Sequence, residues 1–271
     1  MPSRIEVFAR LIKYCLPGAL VLACSLGAAA DTTNNLAPSA RIAIILDDIG
    51  NNLPLGRRAV QLPGAITYAV LPHTPLASRL AREALLDNTA KEIVVHMPMQ
   101  AVSGNRLGPG GLRATQPRED FQATVRAALD AIPAARGLSN HMGSYLTTLP
   151  DRMQWLMEEL QRNNLYYVDN KTARNNKAGA AARSQQVPYI ARDIFLDHDP
   201  RPEAIEAAFD RAVRVARQRG VAVVIAHPYR NTLDFLENRL PLLQAEGVAL
   251  VNASAALVVR EHSRQLALRK R

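Results

Sequence analysis

Two adjacent aspartates, Asp47 and Asp48, close an apolar run that begins at Ile42. A carboxylate can hold a metal ion or take a proton, and a neighbouring pair invites a division between those jobs. Three histidines stand at comparable points: His96 after residues 91–95, His141 after 137–140 and His227 after 221–226. Asp169 and Asp197 follow apolar segments in the same way. Imidazoles and carboxylates are the ligands that divalent ions take, and they also serve as general acids and bases. Taken singly, an Asp pair reads equally well as an Asx-turn, and a His as a packed core residue. Recurrence at successive strand ends is what points to a shared site. In an extended strand Asp47 and Asp48 face opposite ways, so both reach that site only if the strand has ended there.

Such residues need a scaffold that gathers distant strand ends. Apolar periodicity predicts strands over 41–47, 65–71, 92–96, 137–140, 165–169, 190–196, 221–226 and 248–252. Helical patterns lie between them at 53–61, 76–88, 118–131, 150–163, 173–185, 202–219 and 231–245. The sixth helix is the clearest, with Ile205, Ala208, Phe209, Ala212, Val213 and Ala216 at helical spacing, Pro202 at its start and Gly220 past its end. Strict alternation with short connections implies a parallel sheet covered by helices. The expected fold is α/β, an irregular seven- or eight-stranded (β/α) barrel, whose strand C-termini converge on one face. The Gly/Pro-rich segment 100–117 is the one oversized connection and reads as a rim loop; its Gly108-Pro109-Gly110-Gly111 lacks the Lys-Ser/Thr of a phosphate loop.

The chain has 271 residues and 48% hydrophobic content, enough for a sizeable core. One Trp and 5% aromatic residues argue against stacking on nucleic-acid bases, so no nucleic-acid partner is expected. The net charge of +9 is concentrated at the ends, leaving about +3 for the body. Residues 1–30 read as a secretory signal: basic residues, an apolar stretch from Leu16 to Leu26, then Ala28-Ala29-Ala30 before Asp31. That stretch is too short to span a bilayer and is interrupted by Pro17 and Gly18, so the mature chain is expected in the periplasm without a membrane span. Lipidation at Cys24 and an uncleaved anchor are the alternatives. Both cysteines fall in this segment, which leaves the mature chain His, Asp, Glu and water as metal ligands. Residues 31–40 read as a linker, 41–259 as the folded domain and 260–271 as a basic tail. Disorder is the expectation for the tail, with a contact to anionic lipid or nucleic acid as the alternative.

Six ordered stretches resemble the divergent polysaccharide deacetylase family, relatives of the NodB-like carbohydrate esterases. They are Ile45-Leu46-Asp47-Asp48-Ile49-Gly50, Ala69-Val70-Leu71-Pro72, Val95-His96-Met97-Pro98-Met99, Asn140-His141-Met142-Gly143-Ser144, Arg192-Asp193-Ile194-Phe195-Leu196-Asp197 and Ala226-His227-Pro228. The resemblance runs from residue 41 to about 252 and implies a NodB-like barrel that removes N- or O-acetyl groups from a glycan. In better-understood relatives the paired aspartates act as base and metal ligand. Carried across, Asp47 is the base and Asp48 the ligand. Those relatives draw two His ligands from one H-x-x-x-H pair, which is absent here; His96 and His141 take its place. The relatives' Leu-x-His supplies a general acid, and Ile225-Ala226-His227 corresponds to it. Their arginine motif is not clearly present, and Arg192 is the residue that could serve.

The implied cofactor is a divalent metal, Zn²⁺ first, with Mn²⁺, Co²⁺ or Fe²⁺ as alternatives, and the implied partner an acetylated polysaccharide or peptidoglycan-like glycan. Asp169 or Asp197 would hold the His227 tautomer or simply cap their strands, His227 would be the acid or a further metal ligand, His73 would line the groove or lie on a loop surface, and Asn140 and Ser144 would orient His141 or meet sugar hydroxyls. Asn170, Lys171 and Thr172 read as substrate contacts or as an ordinary turn, and His198 as incidental. The missing H-x-x-x-H pair also admits a non-catalytic glycan-binding or scaffold protein on a degenerate barrel.

Overall fold

A computed structural model describes residues 40–86 and 90–269. The expected signal segment, Cys24 and all of the linker but Ala40 lie outside the described residues. Among those described, no helix is long and apolar enough to cross a membrane.

Strand and helix alternate as β1 (Ala40–Ile49), α1 (Leu53–Gln61), β2 (Thr67–Val70), α2 (Ala77–Leu86), β3 (Glu92–Met99), α3 (Arg118–Ala131), β4 (Gly137–Met142), α4 (Pro150–Arg162), β5 (Tyr166–Asp169) and α5 (Ala178–Ser184). There follow β6 (Tyr189–Ala191), β7 (Ile194–Phe195), α6 (Pro202–Arg219), β8 (Val221–Ala226), α7 (Arg230–Arg239), β9 (Val248–Val251) and α8 (Ala253–Arg269). The strands are parallel in the order β6-β5-β4-β3-β2-β1-β8-β7. β9 pairs with Ala40–Ala43 of β1, and β2 with the same strand from Ile45 onward. The two ends of the path, β6 and β7, are joined by only Arg192 and Asp193, so the sheet curls until one stretch of chain bridges its edges. The irregular (β/α) barrel is therefore present, with the predicted strand 190–196 cut in two because its halves serve opposite edges.

Period-two alternation sorts the core into two layers. Ile42, Ile44 and Leu46 of β1 join the outer core with Ala208, Phe209 and Ala212 of α6. Ala43 and Ile45 face inward with Val94, Val168, Val223 and Ile225, a second buried cluster that fills the barrel. The buried residues of that inner cluster are Ala, Val and Ile, with Tyr166 the one aromatic among them. α6 runs between the Pro202 and Gly220 signals as expected; Gly220 takes φ +82°, where a side chain would be strained.

The basic tail is a correction. Residues 253–269 form one helix, so the folded domain continues through Arg269 rather than stopping at 259. Asn252 accepts from the Ala255 N–H, Thr67 from Ala253 and the buried Glu92 from Ser254, while Ala253 and Ala256 enter the barrel's inner core. Arg260 donates to the Ala191 carbonyl at 2.8 Å and pairs with Asp193. The arginines of this segment thus hide a helix that seats its first turn against the barrel's N-terminal end.

Candidate active site

Parity along β1 continues past its apolar residues. Ala43 and Ile45 point inward, and Asp47 follows them to the open end of the barrel, 1% exposed. Asp48 should then point outward. Instead the pairing of β1 with β2 shifts register between Leu46 and Ile49, and Asp48 adopts φ +59°, a left-handed conformation that Asp tolerates better than most residues. That irregularity brings neighbouring carboxylates to one site. Met142 and Lys171, at the ends of β4 and β5, also have positive φ, so irregular backbone recurs around this rim.

His96 reaches the same point from β3, in phase with inward-facing Val94. Its Nδ1 lies 2.7 Å from the hydroxyl of Ser139, its register partner on β4, and its Nε2 lies 3.2 Å from Asp48 Oδ1. His141, two residues after Ser139, places Nδ1 2.9 Å from the same oxygen. The three side chains offer ligand atoms that all fall within 4.8 Å of one another. Asp48 Oδ1 is buried and accepts no well-aligned hydrogen bond despite two ring nitrogens at close range. Two ring nitrogens and a carboxylate oxygen this close without aligned N–H bonds between them suit a cation: bonds near 2.1 Å in a tetrahedral site hold ligands about 3.4 Å apart. Burial works to raise the Asp48 pKa, but the two imidazoles facing it outweigh burial and hold the carboxylate far below its ordinary range. The residues present therefore fit a divalent metal.

Asp47 is placed differently. Its Oδ2 accepts from the Asn170 amide at 2.6 Å and lies 3.5 Å from His96 Nε2, while its buried Oδ1 has no partner. Burial raises its pKa, against the pull of His96 and His227, which makes it a stronger base than an ordinary Asp. Asn170 is itself clamped: its amide also donates to the Asn140 carbonyl at 2.9 Å, and its backbone N–H donates to Asn140 Oδ1 at 3.0 Å. His227 ends β8 on the inward parity of Val223 and Ile225. Asp197 accepts from the His227 backbone at 2.7 Å and from the Thr232 hydroxyl at 2.9 Å, and lies 3.0 Å from His227 Nδ1. The opposite nitrogen, Nε2, faces Asp48 Oδ2 at 4.0 Å. Burial alone would lower the His227 pKa, yet hydrogen bonding to Asp197 and the nearby carboxylates raise it overall.

Several expected site residues go elsewhere. Asp169 does not hold His227: it lies on the outward parity of Tyr167, and accepts from Lys171 N–H, Asn176 and Tyr189. That network keeps residues 170–177 as a loop, so α5 is shorter than the predicted 173–185 helix. His73 is exposed and packs against Gly110 of the rim loop, where an added Cβ would lie 2.7 Å from its ring. Asn140 spends its polar atoms on Met142, Tyr167, Thr172 and Asn170, so it braces the floor rather than meeting a sugar. Ser144 accepts from the Val102 N–H at 3.0 Å and ties the rim loop down. Arg192 does reach the site, in a cleft of about 690 Å³ lined also by Asp47, His96, His141 and His227. Lys171, Thr172, His198 and Arg211 line it too, so His198 is not incidental to this cleft.

Ser139 and Arg211 carry no signal in the sequence. A Ser two residues before His141 shows its purpose only once β3 and β4 are in register. With His96 Nδ1–H donating to Ser139, Nε2 keeps a lone pair for the cation. Ser139→Ala should therefore weaken metal binding by about tenfold to a hundredfold, measured on the folded protein by competition with a chelating dye, with some loss of stability because the buried His96 ring loses its hydrogen-bond partner. An unaltered metal affinity would show that Ser139 does not set the ring.

The family model described as divergent polysaccharide deacetylase matches residues 44–257 of the chain. The chain is 34% identical over 217 residues to the uncharacterized protein YibQ of Escherichia coli (strain K12), covering 80% of this chain and 67% of that one. It is 34% identical over 197 residues to an uncharacterized protein of Haemophilus influenzae (strain ATCC 51907 / DSM 11121 / KW20 / Rd), covering 73% of this chain and 70% of that one. Among solved structures, the uncharacterized protein ATU2773 from Agrobacterium tumefaciens C58 superposes with a TM-score of 0.76 at 20% identity, covering 80% of this chain and 88% of that one. At that identity the superposition speaks for the fold.

Proposed function

Because the chain belongs to the divergent polysaccharide deacetylase family, we propose that it is a metal-dependent hydrolase removing acetyl groups from an envelope glycan. The observation that carries the reading is the convergence of Asp48, His96 and His141 beside a separately held carboxylate, Asp47, and an Asp-backed imidazole, His227. A divalent cation held by the three ligands would supply a Lewis acid that polarises the acetyl carbonyl and acidifies water.

The chain's own residues do the rest. Asp47 has one oxygen tied to Asn170 and one without a partner, so a water proton can pass to it as the new C–O bond forms. Asp197 fixes the ring of His227, which delivers a proton to the departing nitrogen or oxygen as the acetyl C–N or C–O bond breaks. Acetate and a free amine or hydroxyl are the products. The missing H-x-x-x-H pair is the motive for a glycan-binding scaffold. Two histidines from separate strands offer ligand atoms close to Asp48 without such a pair, which supports the hydrolase over the scaffold.

Incubating the purified protein with chitooligosaccharides, acetylxylan and peptidoglycan under Zn²⁺, Mn²⁺ or Co²⁺, and assaying acetate, tests the reading. A folded protein that releases none from any of them argues for the scaffold. The envelope location rests on the Ala28-Ala29-Ala30 segment. N-terminal sequencing of the exported protein should begin at Asp31, and a retained Met1 would remove that support.

A further inference from the structure

We propose that the glycan bears a carboxylate close to its acetyl group, received by Arg192, Lys171 and Arg211; this deepens the deacetylase reading and rests on it. The three cations come from separate parts of the fold: the turn after β5, the link between β6 and β7, and the middle of α6. All three line the cleft that holds Asp47 and His227. Arg192 Nε donates to the Asn170 carbonyl at 3.0 Å and its guanidinium lies 4.7 Å from the Phe195 ring centre. The plane is thereby fixed while its terminal nitrogens have no hydrogen-bond or ion-pair partner among the described residues. Lys171 Nζ and the Arg211 guanidinium likewise have none among them.

The charge count around this cleft is lopsided. Among the described residues that line it, Asp47 is the one acidic group, and a divalent ion would balance the charges of Asp47 and Asp48. Beyond them Arg192 and Lys171 feel Asp169, whose oxygens are already taken by the Lys171 N–H, Asn176 and Tyr189, so positive charge remains in excess beside the reacting group. Burial and the neighbouring arginines Arg260, Arg192 and Arg219 pull the Lys171 pKa down against Asp169, as expected where positive charge is incompletely neutralised. A neutral sugar offers only hydroxyls to these groups, whereas a carboxylate forms charge-assisted bonds and matches a fixed guanidinium plane. Sugar carboxylates come as lactyl ethers on an amino sugar or as uronic acids, and either would satisfy the site.

Calorimetric titration of the metal-loaded protein with three N-acetylated tetrasaccharides separates these. They are chitotetraose, which is neutral, an alternating N-acetylglucosamine–N-acetylmuramic acid tetramer, and a hyaluronan tetramer. At least one acidic oligomer should bind about tenfold or more tightly than chitotetraose, and rising salt should erode the difference. The arm that binds identifies the carboxylate's source. Lys171→Gln with Arg211→Gln, both exposed and so tolerated by the fold, should collapse the preference, and Arg192→Gln should do so independently. Equal binding of all three, binding of none, or a preference that survives these substitutions overturns the proposal. Acetate measured in the same samples reports on the deacetylase reading separately: release from all three oligomers at equal affinity would sink the carboxylate while leaving the hydrolase intact.

Discussion

Replacing Asp48 with Asn, or His141 with Ala, should strip the protein of its divalent metal. With three protein groups converging on one point, loss of any one leaves two ligands. Affinity should fall by more than about a hundredfold, beyond what loss of an outer hydrogen-bonding partner costs. Both side chains lie at the rim and are partly exposed, so the metal-free proteins should still fold, with a modest loss of stability where the Asp48 carboxylate no longer faces the two imidazoles. His96→Ala should lose metal equally, again with some loss of stability because that ring is buried against Ser139. Elemental analysis of the dialysed proteins reads the result directly. Retention of a full equivalent of metal by all three would place the ion elsewhere.

Asp47→Asn should give the opposite pattern: metal retained, fold retained, deacetylation reduced by about 10²–10⁴. The substituted amide can still present an oxygen to Asn170, so the geometry that now holds Asp47 Oδ2 at 2.6 Å survives while the proton acceptor is gone. His227→Ala should likewise keep metal and slow expulsion of the leaving group, since Nδ1 faces Asp197 and only Nε2 is turned toward the site. The two neighbouring aspartates are thus separable by experiment. Loss of metal in Asp47→Asn with retention in Asp48→Asn would reverse their roles.

Much of this arrangement is legible in the amino-acid sequence. Apolar runs ending in Asp or His mark the barrel's strands, and His96, His141 and His227 do meet at their C-terminal ends. Parity, applied strictly, goes further. Asp169 shares the outward phase of Tyr167, whereas Asn170 shares the inward phase of Tyr166 and Val168; the site accordingly receives Asn170. What parity cannot show is the left-handed turn at Asp48, because a two-residue carboxylate motif says nothing of its own backbone angle. Ser139 is hidden for a different reason: its role depends on the register of β3 against β4, a long-range property. Arg192 sits where the chain leaves one sheet edge for the other, so no alternation governs its direction. The last helix is obscured by its arginines, whose charge reads as tail unless Ala253 and Ala256 are seen entering the barrel.

Acetate release from a chelator-stripped protein, followed as Zn²⁺, Mn²⁺ or Co²⁺ is titrated back against an acetylated glycan, tests the central claim most directly. Activity absent after stripping, restored in proportion to added ion and saturating at one ion per chain, is the expected result. Acetate release that is undiminished by chelation, or that stays absent at every metal and glycan while the protein remains folded, would contradict it.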